Sequence, residues 1–352
     1  MYKKIARQSN IELLRIVCMF LIFVNHMNGH GVMGDNVASL DYSLKSIVFI
    51  IATSVVVCAA PIFVIISGYF GIKPTLMGGG GGKFSAICLF YCVLCYLLSV
   101  IIGGEILSLK DLINSAIFIS AERTGLWFLS AYLYLYCFSA VMNTWLKSRT
   151  QKQLTVFTII MVLAIGIMSF LLRVETFNTF ILFLALYSVG YYLKHTVDKY
   201  IQKIKAYSLS LFVATVLFLS VWGILTIHQI GTESTIFCYT NPFVILQAVF
   251  LFLVFDKMKI KSCNMINHIA ASSFMVYMMS ENIHTRKYFV SIVRSIFSID
   301  SEYLTIVTYV VFFFVAYLAL TAIDKVLSKI YIPCINWINN TGMMKKLSIL
   351  FS

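Results

Sequence analysis

Residues 46–70 read SIVFIIATSVVVCAAPIFVIISGYF, a stretch without a single charged side chain. A helix rises 1.5 Å per residue, so about 20 such residues cross the roughly 30 Å hydrocarbon layer of a bilayer. The stretch predicts a membrane span over 45–70, and the rest of the chain repeats the pattern. Apolar runs predict further spans over 11–28, 84–103, 125–146, 154–172, 177–193, 206–228, 238–255, 267–283 and 303–323. Two more runs, Ile106–Ser120 and Tyr288–Ile299, carry charges at helical spacing and predict helices lying at the interface. The expected fold class is all-α: a polytopic membrane protein of about ten transmembrane helices, forming one integral-membrane domain over 1–352.

Composition agrees. Of the 352 residues 60% are hydrophobic and 12% charged, where a soluble domain carries about 25% charged residues. That deficit excludes an ordinary cytosolic enzyme, a disordered chain and a disulfide-stapled secreted module. The formal net charge of +13 suggests nucleic acid until the cations are placed along the chain. With a cytoplasmic N-terminus, nineteen of the 27 Lys and Arg fall in alternate loops, at 3–7, 73–83, 147–152, 194–205, 257–261 and 325–346. This is the positive-inside pattern of a multi-pass protein of the inner or plasma membrane with both termini cytoplasmic. The surplus is thus a topology signal and lipid anchor, and no nucleic acid partner is expected. No cleavable signal is expected either, because the first span carries Glu12 and Arg15 and no small-residue cleavage site follows it.

Several chemistries are absent from the pattern. Cys92 and Cys95 have the spacing of a redox or zinc pair, but no second pair follows and their neighbours are Leu, Phe and Tyr, so they read as buried small hydrophobes. No Walker loop, dinucleotide glycine fingerprint or metal-binding His-Glu-x-x-His occurs, and no metal site is expected. Gly78–Gly82 reads as a flexible cytoplasmic loop between Lys73 and Lys83.

Ionisable groups inside spans are costly and mark function, and the first span holds the most. Glu12 and Arg15 stand at i and i+3 and can pair, while Ser9 or Asn10 can cap the helix start. Arg15 and His26 are eleven residues apart, which places them within about 20° of one helix face and roughly 16 Å apart along the axis. The plain alternative is an orienting ion pair plus a histidine without a role.

These residues carry a resemblance. Ser9-Asn10-Ile11-Glu12-Leu13-Leu14-Arg15, with His26 eleven residues after the Arg, resembles the opening of the membrane acyltransferase-3 family, specifically its surface-polysaccharide O-acetyltransferases. Pro61–Phe70 is similar to the family's second-span ending, Leu126–Leu133 to its fourth-span opening, and Ser273–Tyr277 to the start of its late motif. The resemblance implies a ten-span bundle that moves an acetyl or other short acyl group from cytoplasmic acyl-coenzyme A to a hydroxyl of a surface polysaccharide or its lipid-linked precursor. Acetyl-coenzyme A is then a co-substrate, with no permanently bound cofactor. It also implies His26 as general base or acyl carrier, Arg15 as a donor-site or structural cation, and Glu12 as the group orienting Arg15. Donor-binding candidates are Ser67, Tyr69, Lys73 and Lys83; Ser67-Gly68 is also read as a close helix contact. Acceptor-side candidates are Trp127, Glu281, Asn282 and Arg286. Where the family has arginines after the Ser67–Phe70 block this chain has Lys73 and Lys83, and where the late motif has His it has Ser280, leaving His284 as a substitute. His30, just beyond the first span with Asp35 and Asp41 near, reads either as a solvated loop residue or as part of an acceptor-side dyad. Two other classes remain: a transporter of a glycan, lipid or small acid with Arg and His lining its path, and a non-catalytic scaffold.

Overall fold

A backbone in lipid finds hydrogen-bond partners only within its own segment, which makes the helix the default state of every apolar run above. The computed structural model describes residues 8–33, 40–72, 80–167, 178–196, 199–229 and 236–340, which contain helices and no strand. The order is α1 (Ser9–Gly31), α2 (Leu44–Val56), α3 (Ala59–Phe70), α4 (Gly80–Gly103), α5 (Leu109–Ala116), α6 (Ala121–Thr124), α7 (Trp127–Lys147) and α8 (Gln151–Ile165). It continues with α9 (Asn178–His195), α10 (Lys199–Ala206), α11 (Ser208–Leu225), α12 (Pro242–Asp256), α13 (Asn264–Glu281), α14 (Ile283–Phe297) and α15 (Glu302–Asn340).

Among the described residues, five helical stretches are long and apolar enough to cross a membrane: Ser9–Gly31, Leu44–Phe70, Gly82–Gly103, Ser208–Leu225 and Glu302–Asn336. A sixth arises if the bent pair Thr179–His195 and Tyr200–Ala206 is one span, while Gln151–Ile165 and Pro242–Asp256 are shorter apolar helices. The structure therefore supports five or six long apolar helices rather than the full ten. The helices that fall short have a reason. α13 carries Ser272, Ser273, Ser280 and Glu281, and α7 carries Ser130 and Ser139, all buried in the bundle interior. Polar groups that serve the interior lower the hydropathy of the helix presenting them.

Local chemistry sets the element boundaries. The 45–70 run breaks at Val57 and Cys58 into α2 and α3, because Pro61 offers no N–H to the Val57 carbonyl and its ring crowds that oxygen. Asn241-Pro242 starts α12: Asn241 accepts from Phe243 N at 2.9 Å and Pro242 occupies the first turn. A capping box of Thr150 and Gln153 opens α8. Gly80–Gly82 form the first turn of α4 instead of lying in a loop, since the following apolar run propagates the helix backward; Gly78 and Gly79 lie outside the described residues, as do Lys73 and Asp35. The two runs expected at the interface fold as the short amphipathic α5 and as α14.

α3 packs most closely on α9. A side chain at Gly68 would overlap the Tyr187 carbonyl, and one at Gly190 would overlap the Ile65 carbonyl, so the backbones touch through paired glycines. Outward faces are greasy: Leu209, Val213, Leu217 and Val221 on α11, and Val307, Val311, Phe314 and Leu318 on α15, are exposed at helical spacing, the signature of a lipid-facing stripe. Inside, Asp324 on α15 accepts from the Tyr91 hydroxyl at 2.5 Å and the Tyr331 hydroxyl at 3.0 Å, binding α15 to α4. All nine cysteines, Cys92 and Cys95 included, are free thiols.

Candidate active site

Two long helices set the frame. Ser9 and Asn10 do not cap α1, whose N-cap is Gln8. Ser9 Oγ donates to Asn267 at 3.3 Å and accepts from Cys263 N at 2.9 Å, and Asn10 Nδ2 donates to the Phe255 carbonyl at 3.0 Å. The Ser9 bonds tie the start of α1 to the start of α13, and the Asn10 bond ties it to the end of α12; α1 and α13 run alongside each other in the same direction. Their far ends then meet, which places His26 beside Glu281.

At that end His26 Nδ1 lies 3.1 Å from Glu281 Oε2, and both side chains are buried. His30 Nε2 lies 2.9 Å from Glu281 Oε1. Arg286 Nη1 lies 3.1 Å from the same oxygen and 3.2 Å from His30 Nε2. Arg286 matches the carboxylate charge within the cluster. Among the described residues no group of three His, Cys, Asp or Glu side chains is arranged to hold a metal ion. Asn282 is a cap: its Oδ1 accepts from His284 N at 3.1 Å, turning the chain between α13 and α14 so that Glu281 and Arg286 converge. Gly125 makes the turn fit from the other side. It has φ +77°, and a Cβ there would stand 3.1 Å from the Glu281 carbonyl.

His30 was expected in a loop with Asp35 and Asp41, and the structure corrects this. α1 continues to Gly31, so His26 and His30 lie one turn apart on one face. Arg294 bonds the end carbonyls of α1, donating to His30 O at 3.2 Å and to Gly31 O at 3.4 Å, a cation at a helix C-terminus. Asp41 instead accepts from Ser43 and Ser46. The hydrogen bonds from Ser43 hold its carboxyl down at about 2.

The His26 ring lies edge-on to Trp127, with centroids 6.2 Å apart, and 5.8 Å from Tyr277. Trp127 stacks on Tyr239 at 5.4 Å, and Asn25 Nδ2 donates to the Tyr239 hydroxyl at 2.9 Å. A cavity of about 430 Å³ opens here, lined among others by Asn25, His26, His30, Trp127, Thr179 and Tyr239. His26 Nε2 is buried and unpartnered. The Glu281 carboxyl facing Nδ1 favours the proton on that ring nitrogen and the lone pair on Nε2.

The candidates at the opposite end of α1 form other contacts. Glu12 is buried and pairs with Arg15 at 2.6 Å, as the i, i+3 spacing predicts. Ser67 Oγ donates to the Phe63 carbonyl at 2.9 Å and lies 3.1 Å from the Tyr132 hydroxyl. Tyr69 donates to Asp256 at 3.1 Å, and Lys205 bonds the other oxygen of that carboxylate. Lys83 is half-buried in the first turns of α4. None of these groups reaches the His26 cluster. His284 does not substitute for the missing late-motif histidine either: its Nε2 lies 2.9 Å from Ser115 Oγ, and its Nδ1 3.8 Å from Glu105. Burial lowers its pKa.

A family model described as an acyltransferase domain matches residues 8–325. The chain belongs to the acyltransferase-3 family. No curated protein and no solved structure matches it. Membership makes this a membrane acyltransferase, and the matched region contains every member of the His26 cluster. His30 and Tyr239 line the acyltransferase's cavity and Tyr277 lies beside His26; of the three, only His30 is singled out by the sequence. The i, i+4 spacing of His26 and His30 was the only local signal for any of them.

Proposed function

We propose that this acyltransferase moves an acetyl or other short acyl group from cytoplasmic acyl-coenzyme A to a hydroxyl of a surface polysaccharide or its lipid-linked precursor. It does so as a ten-span protein of the inner or plasma membrane with its N-terminus in the cytoplasm. The observation carrying this reading is the buried His26–Glu281 pair opening on a cavity walled by stacked Trp127 and Tyr239. Stacked aromatic faces with a polar edge suit a sugar ring. Glu281 orients the imidazole, and Nε2 takes the proton from the acceptor hydroxyl as its oxygen attacks the thioester carbonyl. The carbon–sulfur bond then breaks, and the leaving thiolate regains that proton from the imidazolium. Arg15, held by Glu12, together with Ser67, Tyr69, Lys73 and Lys83, stands toward the cytoplasmic side, where the anionic donor approaches.

The test is mass spectrometry of surface glycans from cells expressing the chain or its His26→Ala form at equal membrane abundance. A gain of acyl ester confined to the unmodified chain is expected. Equal acylation by both forms rejects the role of His26, and solute movement without acyl-coenzyme A consumption marks a transporter instead. Trp127→Ala is expected to raise the acceptor KM about fivefold, since an aromatic stacking partner is worth about 1 kcal/mol, with little change in donor KM. An unchanged acceptor KM removes Trp127 from the sugar site.

A further inference from the structure

α7 begins without a cap. Its N-cap is Leu126, which offers no side-chain acceptor, and among its first amides Trp127 N is satisfied by the Gly125 carbonyl. The next residue, Phe128, packs edge-on against Tyr277 with ring centroids 6.1 Å apart, which sets the Tyr277 side chain beside this helix start. Tyr277 is 2% exposed, and its hydroxyl makes no full hydrogen bond. A second unpartnered polar atom, His26 Nε2, belongs to a ring whose centroid is 5.8 Å from the Tyr277 ring. Between them lies an enclosed void of about 10 Å³ lined by apolar side chains with His26, Phe128 and Tyr277. A buried hydroxyl and an uncapped helix start, converging beside a base, would be costly to keep for packing alone.

We propose that the Tyr277 hydroxyl and the N-terminal amides of α7 form the site that receives the negative charge developing on the acyl carbonyl oxygen. The inference rests on the acyl-transfer reading above. As the acceptor oxygen bonds to the carbonyl carbon and its proton passes to His26 Nε2, the carbonyl electron pair moves onto oxygen. Tyr277 donates its hydroxyl hydrogen bond to that oxygen, and the positive end of the α7 dipole lies behind it. When the carbonyl re-forms, the carbon–sulfur bond breaks, and the thiolate takes the proton held by His26. Tyr277 itself neither gains nor loses a proton. In a water-excluded site such a donor acts mainly on the transition state, so it raises kcat with little effect on KM.

Tyr277→Phe keeps the ring and removes only the hydroxyl. The assay uses membrane vesicles holding the full chain at equal abundance, labelled acetyl-coenzyme A as donor, and label recovered as alkali-labile ester in the membrane fraction. The expected result is a kcat lower by roughly 10²–10³-fold with donor KM unchanged, while His26→Ala abolishes transfer. A second readout uses the dithioester analogue of acetyl-coenzyme A. Its thiocarbonyl sulfur accepts hydrogen bonds weakly, so the gap between Tyr277→Phe and the unmodified chain should largely close. A Tyr277→Phe rate within about threefold of the unmodified chain, with His26→Ala inactive, overturns the inference and leaves the acyltransfer reading standing. A loss that persists equally with the dithioester, or that falls on KM, marks a packing role and overturns it as well. Transfer by His26→Ala at the full rate rejects the role of His26 and this inference with it, and no label transferred by the unmodified chain rejects the acyltransfer reading as well.

Discussion

Glu281→Gln is expected to lower acyl transfer about 10³-fold or more in a protein that still folds. The carboxylate faces His26 Nδ1 at 3.1 Å, and its charge both selects the tautomer with a lone pair on Nε2 and stabilises the imidazolium formed during proton transfer. An amide of the same size supplies neither reliably, and in Ser-His-Asp enzymes the equivalent Asp→Asn change costs about 10⁴-fold. A second consequence follows from Arg286, whose Nη1 lies 3.1 Å from the same side chain. Loss of the carboxylate leaves that half-buried cation without its partner, which is destabilising. The variant should therefore be measured at 25 °C beside its thermal stability in detergent, with Glu281→Asp as a companion that keeps the charge at a longer reach. Turnover within tenfold of the unmodified chain would show that Glu281 serves only to hold Arg286 and His30.

Gly68→Val is expected to remove most folded protein from the membrane, an effect of about 3 kcal/mol or more. The added side chain would meet not a mobile side chain but the Tyr187 carbonyl, with the Tyr187 Cα 2.9 Å away. Backbone cannot rotate out of the way, so α3 and α9 must separate, and the facing pair at Gly190 separates with them. α3 also packs on α1, so the displacement reaches the helix that bears His26. Size-exclusion profiles after graded heating test this, with Gly29→Ala as the contrast: nothing lies within 4 Å of a Cβ there, and alanine in a helix is favoured over glycine by up to about 1 kcal/mol. Equal survival of Gly68→Val and the unmodified chain would mean that the two helices do not touch through glycine.

Hydropathy and the 3.6-residue period are local properties, and what depends on them was readable before any coordinates. The helical membrane class, the helices within 45–70, 84–103 and 303–323, the Glu12–Arg15 pair and the shared helix of Arg15 and His26 all belong to that set. Trp127, Glu281 and Arg286 were also picked out, by ordered resemblance, but without their partners. Boundaries fared worse where one atom decided them: the Pro61 ring breaks the second run, and Arg294, from a helix far along the chain, extends α1 to His30.

The sequence by itself determined that the chain lives in lipid as helices and that one face of α1 carries a base. Only the tertiary structure decided what that base meets. Glu281 lies 255 residues after His26, Tyr277 stands one turn before Glu281 on α13, and Tyr239 comes from a further segment of the chain. Helix faces are apolar whether they meet lipid or protein, so hydropathy does not say which face turns inward. That choice was made by interhelical packing: the Gly68–Gly190 contact, the Ser9 bonds that set α1 alongside α13, and the Asn282 cap that turns Glu281 and Arg286 onto the two histidines.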